Sequence, residues 1–297
     1  MSRVLWFRRD LRLHDNPALV AAVEGAFADG DGTVVPHITI DSAQWRYFSP
    51  PLRAYIRASM EDLDHSLGGN LLIQHGDPAQ ILPRVARALA ASTVHVAAAH
   101  TPYAMARDKR VSHALEQAGI RWEVTGSGYA VAPGRVTKED GTAYRVYTPF
   151  YKGWLRHGWR TPCADPATWP TWAMPVECDG YPEAPGVDGM VMPVAGEAAA
   201  VNRWHHFRDT HLDGYNDNRN RPDLDATSRL SIPLMLGEIH PRTLLAELGD
   251  TPGHETFRKE LAWREFYADV LYQRPDTVSK YYNTAFADMD YDHGAQA

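Results

Sequence analysis

Over the first 125 residues, short apolar runs alternate with longer stretches in which apolar positions recur every three or four residues. Residues 4–7, 33–40, 70–74, 93–98 and 120–125 have the length and composition of buried strands, and residues 17–23, 52–67, 78–91 and 103–117 have helical spacing. Asn16 followed by Pro17 supplies an N-cap and a first-turn residue for the first helix. Strands that alternate with helices predict a parallel sheet covered on both faces. On such a sheet, small ligands are expected beyond the carboxyl ends of the strands.

The periodicity fades from residue 129 to about 196, where Pro, Gly and Trp are frequent, and this segment is read as a connector. Within it, residues 144–154 are the part expected to pack. Helical patterning returns at Glu197: Ala200, Val201, Trp204, Phe207, Arg208 and Leu212 define an amphipathic helix ending near Gly214 and Tyr215. A polar loop, residues 216–225, carries Arg219 and Arg221 and leads to Thr227, Ser228, Arg229, Leu230 and Ser231. Three hydroxyls beside a helix start suit either phosphate binding or plain capping. In the last long helix, Trp263, Phe266, Tyr267, Val270 and Leu271 predict one buried face. A second stripe, Glu260, Trp263, Arg264 and Tyr267, sets a carboxylate, an indole, a guanidinium and a phenol side by side. That stripe could hold a flat anionic ligand, or be no more than a Glu260–Arg264 surface pair.

At 297 residues the chain exceeds the usual single domain. The division predicted is a Rossmann-like α/β domain over residues 1–128, a connector over 129–196 and an all-helical region over 197–297. No apolar run approaches membrane-spanning length, and the apolar start at residues 4–7 is too brief for a secretory signal, so a cytoplasmic protein is expected. Cys163 and Cys178 form no C-x-x-C pair, and the fourteen histidines lack ligand spacing, so no metal site is expected. A net charge of −7 argues against general affinity for nucleic acid while leaving room for a local basic groove. No G-x-x-x-x-G-K-[ST] loop is present, and Gly126 and Gly128 read as loop glycines after the last strand.

The run Leu5-Trp6-Phe7-Arg8-Arg9-Asp10-Leu11-Arg12, followed by Asp15-Asn16-Pro17-Ala18-Leu19, closely resembles the N-terminal signature of the DNA photolyase and cryptochrome family. Tyr215, the 227–231 run, Gly237-Glu238-Ile239 with Pro241-Arg242, and the 260–267 stretch agree with it in order and spacing. The resemblance implies an α/β domain able to carry an antenna pigment and a helical domain that holds folded FAD. It implies FAD contacts for Tyr215, Thr227, Ser228, Arg229, Leu230, Ser231, Phe257, Glu260, Arg264 and Tyr267. It also implies DNA contacts for Arg219, Glu260 and Trp263, with Glu260 and Trp263 serving the repair chemistry. The activity implied is light-driven splitting of cyclobutane pyrimidine dimers in UV-damaged DNA by a monomer. The alternatives are a blue-light photosensor without repair activity and a nonenzymatic remnant.

Family members continue through a second helical half, whereas this chain ends thirty residues after Tyr267 with the polar, unpatterned residues 288–297. The expectation is weak or no FAD binding and little repair by these residues alone, with apolar faces exposed. Ile232 separates the hydroxyl run from Pro233, and Met235-Leu236 stand where the family often has a basic and an aromatic residue. Tyr103-Ala104-Met105-Ala106-Arg107-Asp108 lacks the Asn-Glu pair of folate-antenna members, which points to a deazaflavin antenna or none.

Overall fold

The structure is a computed structural model in which residues 2–174 and 176–290 are described. The expected polar ending therefore lies outside the described residues from position 291 onward. The first part comprises β1 (Arg3–Trp6), α1 (Pro17–Ala28), β2 (Thr33–Ile40), α2 (Ser42–Trp45), α3 (Pro50–Ser66), β3 (Leu72–His75), α4 (Pro78–Ala88), β4 (Thr93–Ala98), α5 (Pro102–Gln117) and β5 (Arg121–Ser127). Then come α6 (Tyr147–His157), β6 (Thr171–Trp172), α7 (Glu197–Thr210), α8 (Tyr215–Asn218), α9 (Ser231–Leu236), α10 (Pro241–Ala246) and α11 (Pro252–Gln273). Two short 3-10 turns, Pro275–Val278 and Thr284–Asp288, follow.

The expected parallel α/β sheet is present, with strand order β3-β2-β1-β4-β5. Central strand β1 shows why. Its side chains alternate across the sheet, so Leu5 and Phe7 join the core under α1 and α3, while Val4 and Trp6 join the core under α4 and α5. Asn16 caps α1 by accepting a hydrogen bond from the Leu19 N–H, as its position before Pro17 predicts.

Three features differ from the sequence pattern. Gly126 is not a loop glycine: it lies inside β5, next to a register irregularity against β4, with a left-handed φ of 77° that accommodates the bulge. The segment after β5 packs where residues 144–154 were expected to, and the difference is that this part is a regular helix: α6 packs on α11 and buries Phe150, Tyr151 and Trp154 in the helical core. Later in the same segment, β6 adds to β2 beside Thr33 and Val34. Finally, α7 ends at Thr210, and Tyr215 opens its own short helix.

The α/β and helical parts meet through close backbone packing and buried polar groups. At the end of α9, Gly237 has φ 73°, and a Cβ there would lie 2.1 Å from the Arg9 carbonyl oxygen. Glycine alone permits this approach, and it lets the Leu11 N–H donate to Leu236 and the Arg12 guanidinium donate to the Gly237 carbonyl. Alongside, buried Asp15 accepts from the Arg242 guanidinium at 2.6 Å and from the Cys163 N–H at 2.7 Å. Buried Glu238 accepts from Tyr55, Ser59 and the Gly196 N–H.

Candidate functional site

Helix α11 carries most of the chemistry. Thr251 caps its start, Pro252 occupies its first turn, and Glu255 complements the helix dipole there. Its buried face is Phe257, Leu261, Ala262, Glu265, Phe266 and Asp269. This corrects the face read from the sequence: Phe266 is buried as expected, but Tyr267 is 63% exposed, and Trp263, Val270 and Leu271 are only partly buried. Hydrophobicity placed the face one step out of phase because two of the inward positions are acids. Glu265 accepts the Ala130 and Val131 N–H groups at 2.5 and 3.0 Å and the Trp154 indole N–H at 2.7 Å. Asp269 accepts the Gly134 N–H at 2.6 Å. Burial pushes both carboxyls above their ordinary range, and these donors oppose it. The two acids thus fasten the chain leaving β5 onto α11. Their signal in the sequence was a pair of carboxylates four residues apart on the apolar side of a helix.

One face of α11 borders a cavity of about 890 Å³. Tyr215, Thr227, Ser228, Arg229, Leu230, Ser231, Phe257, Glu260 and Arg264 line it, which brings together nine of the residues singled out in the sequence. Val191, Met192 and Pro193 also line it and had no sequence signal, because their segment follows no regular period, and Arg203 of α7 joins them from a position the sequence did not single out. Arg229 adopts a left-handed φ of 50° and pairs with Asp225 in solvent, while the Ser228 hydroxyl accepts the Leu230 N–H. Glu260 pairs with Arg219, not with Arg264 as a helix-surface pair would require. Arg264 instead donates through Nη2 to the Gly128 and Leu234 carbonyls, lies over the Tyr129 ring, and keeps a buried Nη1 without a protein partner.

Arg219, Trp263 and Tyr267 lie outside that lining. Trp263 stacks flat on Tyr147, with ring centroids 3.5 Å apart and planes 8° from parallel, and Tyr267 follows at 5.5 Å. Tyr147 and Tyr151 stack in turn, and their hydroxyls donate to the Lys259 carbonyl and to Glu255. Burial raises the pKa of both phenols.

A second cavity, of about 430 Å³, opens beyond the carboxyl ends of β1, β2 and β4, where the sheet rule places ligands. Trp45, Phe48, Ile56 and Met60 give it an apolar side, and Arg9, Arg107 and Arg264 give it cationic groups. Tyr267 belongs to this cavity. Arg8 and Arg107 both lie over the Trp6 ring and share Asp108, which fixes that wall.

The chain matches the DNA photolyase family model over residues 3–170. It is 33% identical to the deoxyribodipyrimidine photo-lyase of Halobacterium salinarum, over 94% of this chain and 63% of that enzyme. It is also 33% identical to an uncharacterized 31.6 kDa protein of a Synechococcus species, over 89% of this chain and 98% of that protein. Its backbone superposes on a class III photolyase from Agrobacterium tumefaciens with a TM-score of 0.81 at 29% identity, covering 98% of this chain and 63% of that one. The chain thus spans just under two thirds of the photo-lyases it matches. With the order of its motifs, the topology of its sheet and these likenesses in agreement, this chain belongs to the DNA photolyase family.

Proposed function

We propose that this chain forms the flavin-holding, DNA-facing part of a light-driven enzyme that splits cyclobutane pyrimidine dimers. The observation that carries the reading is the hydroxyl-lined cavity bordered by α11, with Arg264 among its lining residues. That donor set fits FAD. Hydroxyls and N–H groups around residues 227–231 suit a pyrophosphate, Arg264 supplies the positive charge it needs, and Tyr215 and Phe257 offer apolar walls. FAD, when bound, supplies the light-driven electron transfer.

The protein's own work is positional. Glu260 is partly exposed at the cavity edge, where its carboxylate can accept hydrogen bonds from an extruded pyrimidine and hold it beside the cofactor. Trp263, one helical turn on, is held against Tyr147 outside that lining, so Glu260 and not the indole is the group placed at the cavity edge. A damaged pair has lost stacking, so it leaves the duplex at reduced cost. The cavity at the strand ends is assigned to an antenna pigment, a flat anionic ring system such as a deazaflavin, because apolar walls and several guanidiniums converge there.

The test is to titrate the chain with FAD by fluorescence polarisation and to assay an oligonucleotide carrying one thymine dimer under blue light. Arg264→Met is expected to weaken FAD binding at least tenfold. Because the chain spans under two thirds of the photo-lyases it matches, weak FAD binding is expected, and binding indifferent to Arg264→Met and Tyr215→Ala overturns the cavity assignment. FAD binding with no light-dependent repair favours a photosensor of the same family.

A further inference from the structure

Arg219 and Glu260 are bound to each other: Nη1 of the guanidinium lies 2.5 Å from Oε1 of the carboxylate, with side chains 31% and 33% exposed. Arg219 caps the end of α8 and lies over the Tyr215 ring, at 5.7 Å from its centroid. Glu260 reaches the pair from α11 and also lines the hydroxyl-rich cavity. Among the described residues no second carboxylate bonds Arg219, and the contact with Glu260 uses a single N–O pair. Glu260 belongs to the cavity lining, and the pair is partly open to solvent and therefore to a competing anion.

We propose that this pair is an exchange device: a phosphodiester oxygen of a bound nucleic-acid strand takes the Arg219 guanidinium from Glu260, and the freed carboxylate turns to the donors of the base presented at the cavity. The inference rests on the DNA-facing reading above and adds a mechanism to it. Carboxylate and phosphate are alternative partners for the same planar fork, and a phosphate can engage it through two N–H groups where Glu260 engages it through one. A pair about one-third exposed is held weakly enough for such a trade to be nearly neutral, which a fully buried pair would not allow. Without a strand, Arg219 masks the Glu260 charge and keeps a bare carboxylate from repelling approaching phosphates. With a strand, anchoring the backbone and exposing the base acceptor become one event.

The experiment measures binding of a fluorescein-labelled undamaged duplex by anisotropy at low and moderate salt. Glu260→Gln keeps the shape of the side chain and releases Arg219, so it is expected to tighten binding about two- to fivefold. Arg219→Gln is expected to weaken binding, flatten the salt dependence by about one phosphate contact, and abolish the gain in the double variant. Arg219→Lys should restore part of the affinity. A Glu260→Gln gain that persists in the Arg219→Gln background is a general charge effect and overturns the exchange. Duplex binding indifferent to both substitutions also overturns it while leaving the DNA-facing reading intact. Failure of every variant and of the parent chain to bind duplex overturns both.

Discussion

Glu265 illustrates how one residue joins two parts of the chain. Its carboxylate is fully enclosed and satisfied by two backbone N–H groups and an indole, so each oxygen has a fixed job. Glu265→Gln places an amide donor against the Ala130 or Val131 N–H, leaving buried donors facing each other. A loss of about 2–4 kcal/mol is expected, read as a lower urea midpoint at unchanged slope. The Trp263–Tyr147 stack is a smaller matter. A double-mutant cycle with Trp263→Leu and Tyr147→Leu should return a coupling of about 0.5–1.5 kcal/mol in stability, and a coupling near zero would mean the rings merely lie close.

At the scale of elements, α9 and α11 define the site through their ends and their rotation. The α9 helix stops at Gly237, whose left-handed backbone lies against the Arg9 carbonyl. Gly237→Ala meets both an unfavourable φ and a collision with main chain that has no rotamer to yield. It should cost at least about 2 kcal/mol and loosen the seam between the two parts, seen as faster amide exchange at Leu11. For α11, inward-facing Glu265 and Asp269 rotate the helix so that Glu260 and Arg264 border the cavity while Trp263 turns toward α6. Replacing Thr251 by Ala removes its N-cap and should cost about 1 kcal/mol without altering that rotation.

For the whole molecule, buried histidines set the response to acid. His37 in β2 and His95 in β4 are enclosed by the sheet, and burial lowers their pKa values to about 3 and about 4. His240 lies at the seam and is also lowered well below its ordinary value, first by burial and then by Arg12 and Arg242. Its Nε2 faces the Ser127 carbonyl and its Nδ1 accepts the Arg242 N–H, so it is a neutral ring despite Asp15 at 3.4 Å. Below pH 6.5 the unfolded chain binds protons at these rings and the folded chain does not, so stability rises with pH across this window and falls on acidification. The expected loss is about 1.4 kcal/mol per pH unit for each histidine, continuing until its own folded pKa is reached. Urea midpoints measured from pH 7 to pH 5 check this, and His37→Asn or His95→Asn should each reduce the slope.

The sequence by itself determined the alternation of strands and helices, because period and capping are local: Asn16 before Pro17 starts α1, and the 4–7 run is a strand filled on both faces. It also marked nine residues that border one cavity, since family motifs keep their order even where periodicity is silent. Only the tertiary structure decided which way α11 faces, because the energy of burying Glu265 and Asp269 depends on donors more than 130 residues away. The same holds for the partner of Glu260, which is Arg219 across a gap between helices and not its i, i+4 neighbour. It holds again for residues 129–196, whose aromatic side chains carry no period of their own and gain an address only when α11 and β2 are there to receive them.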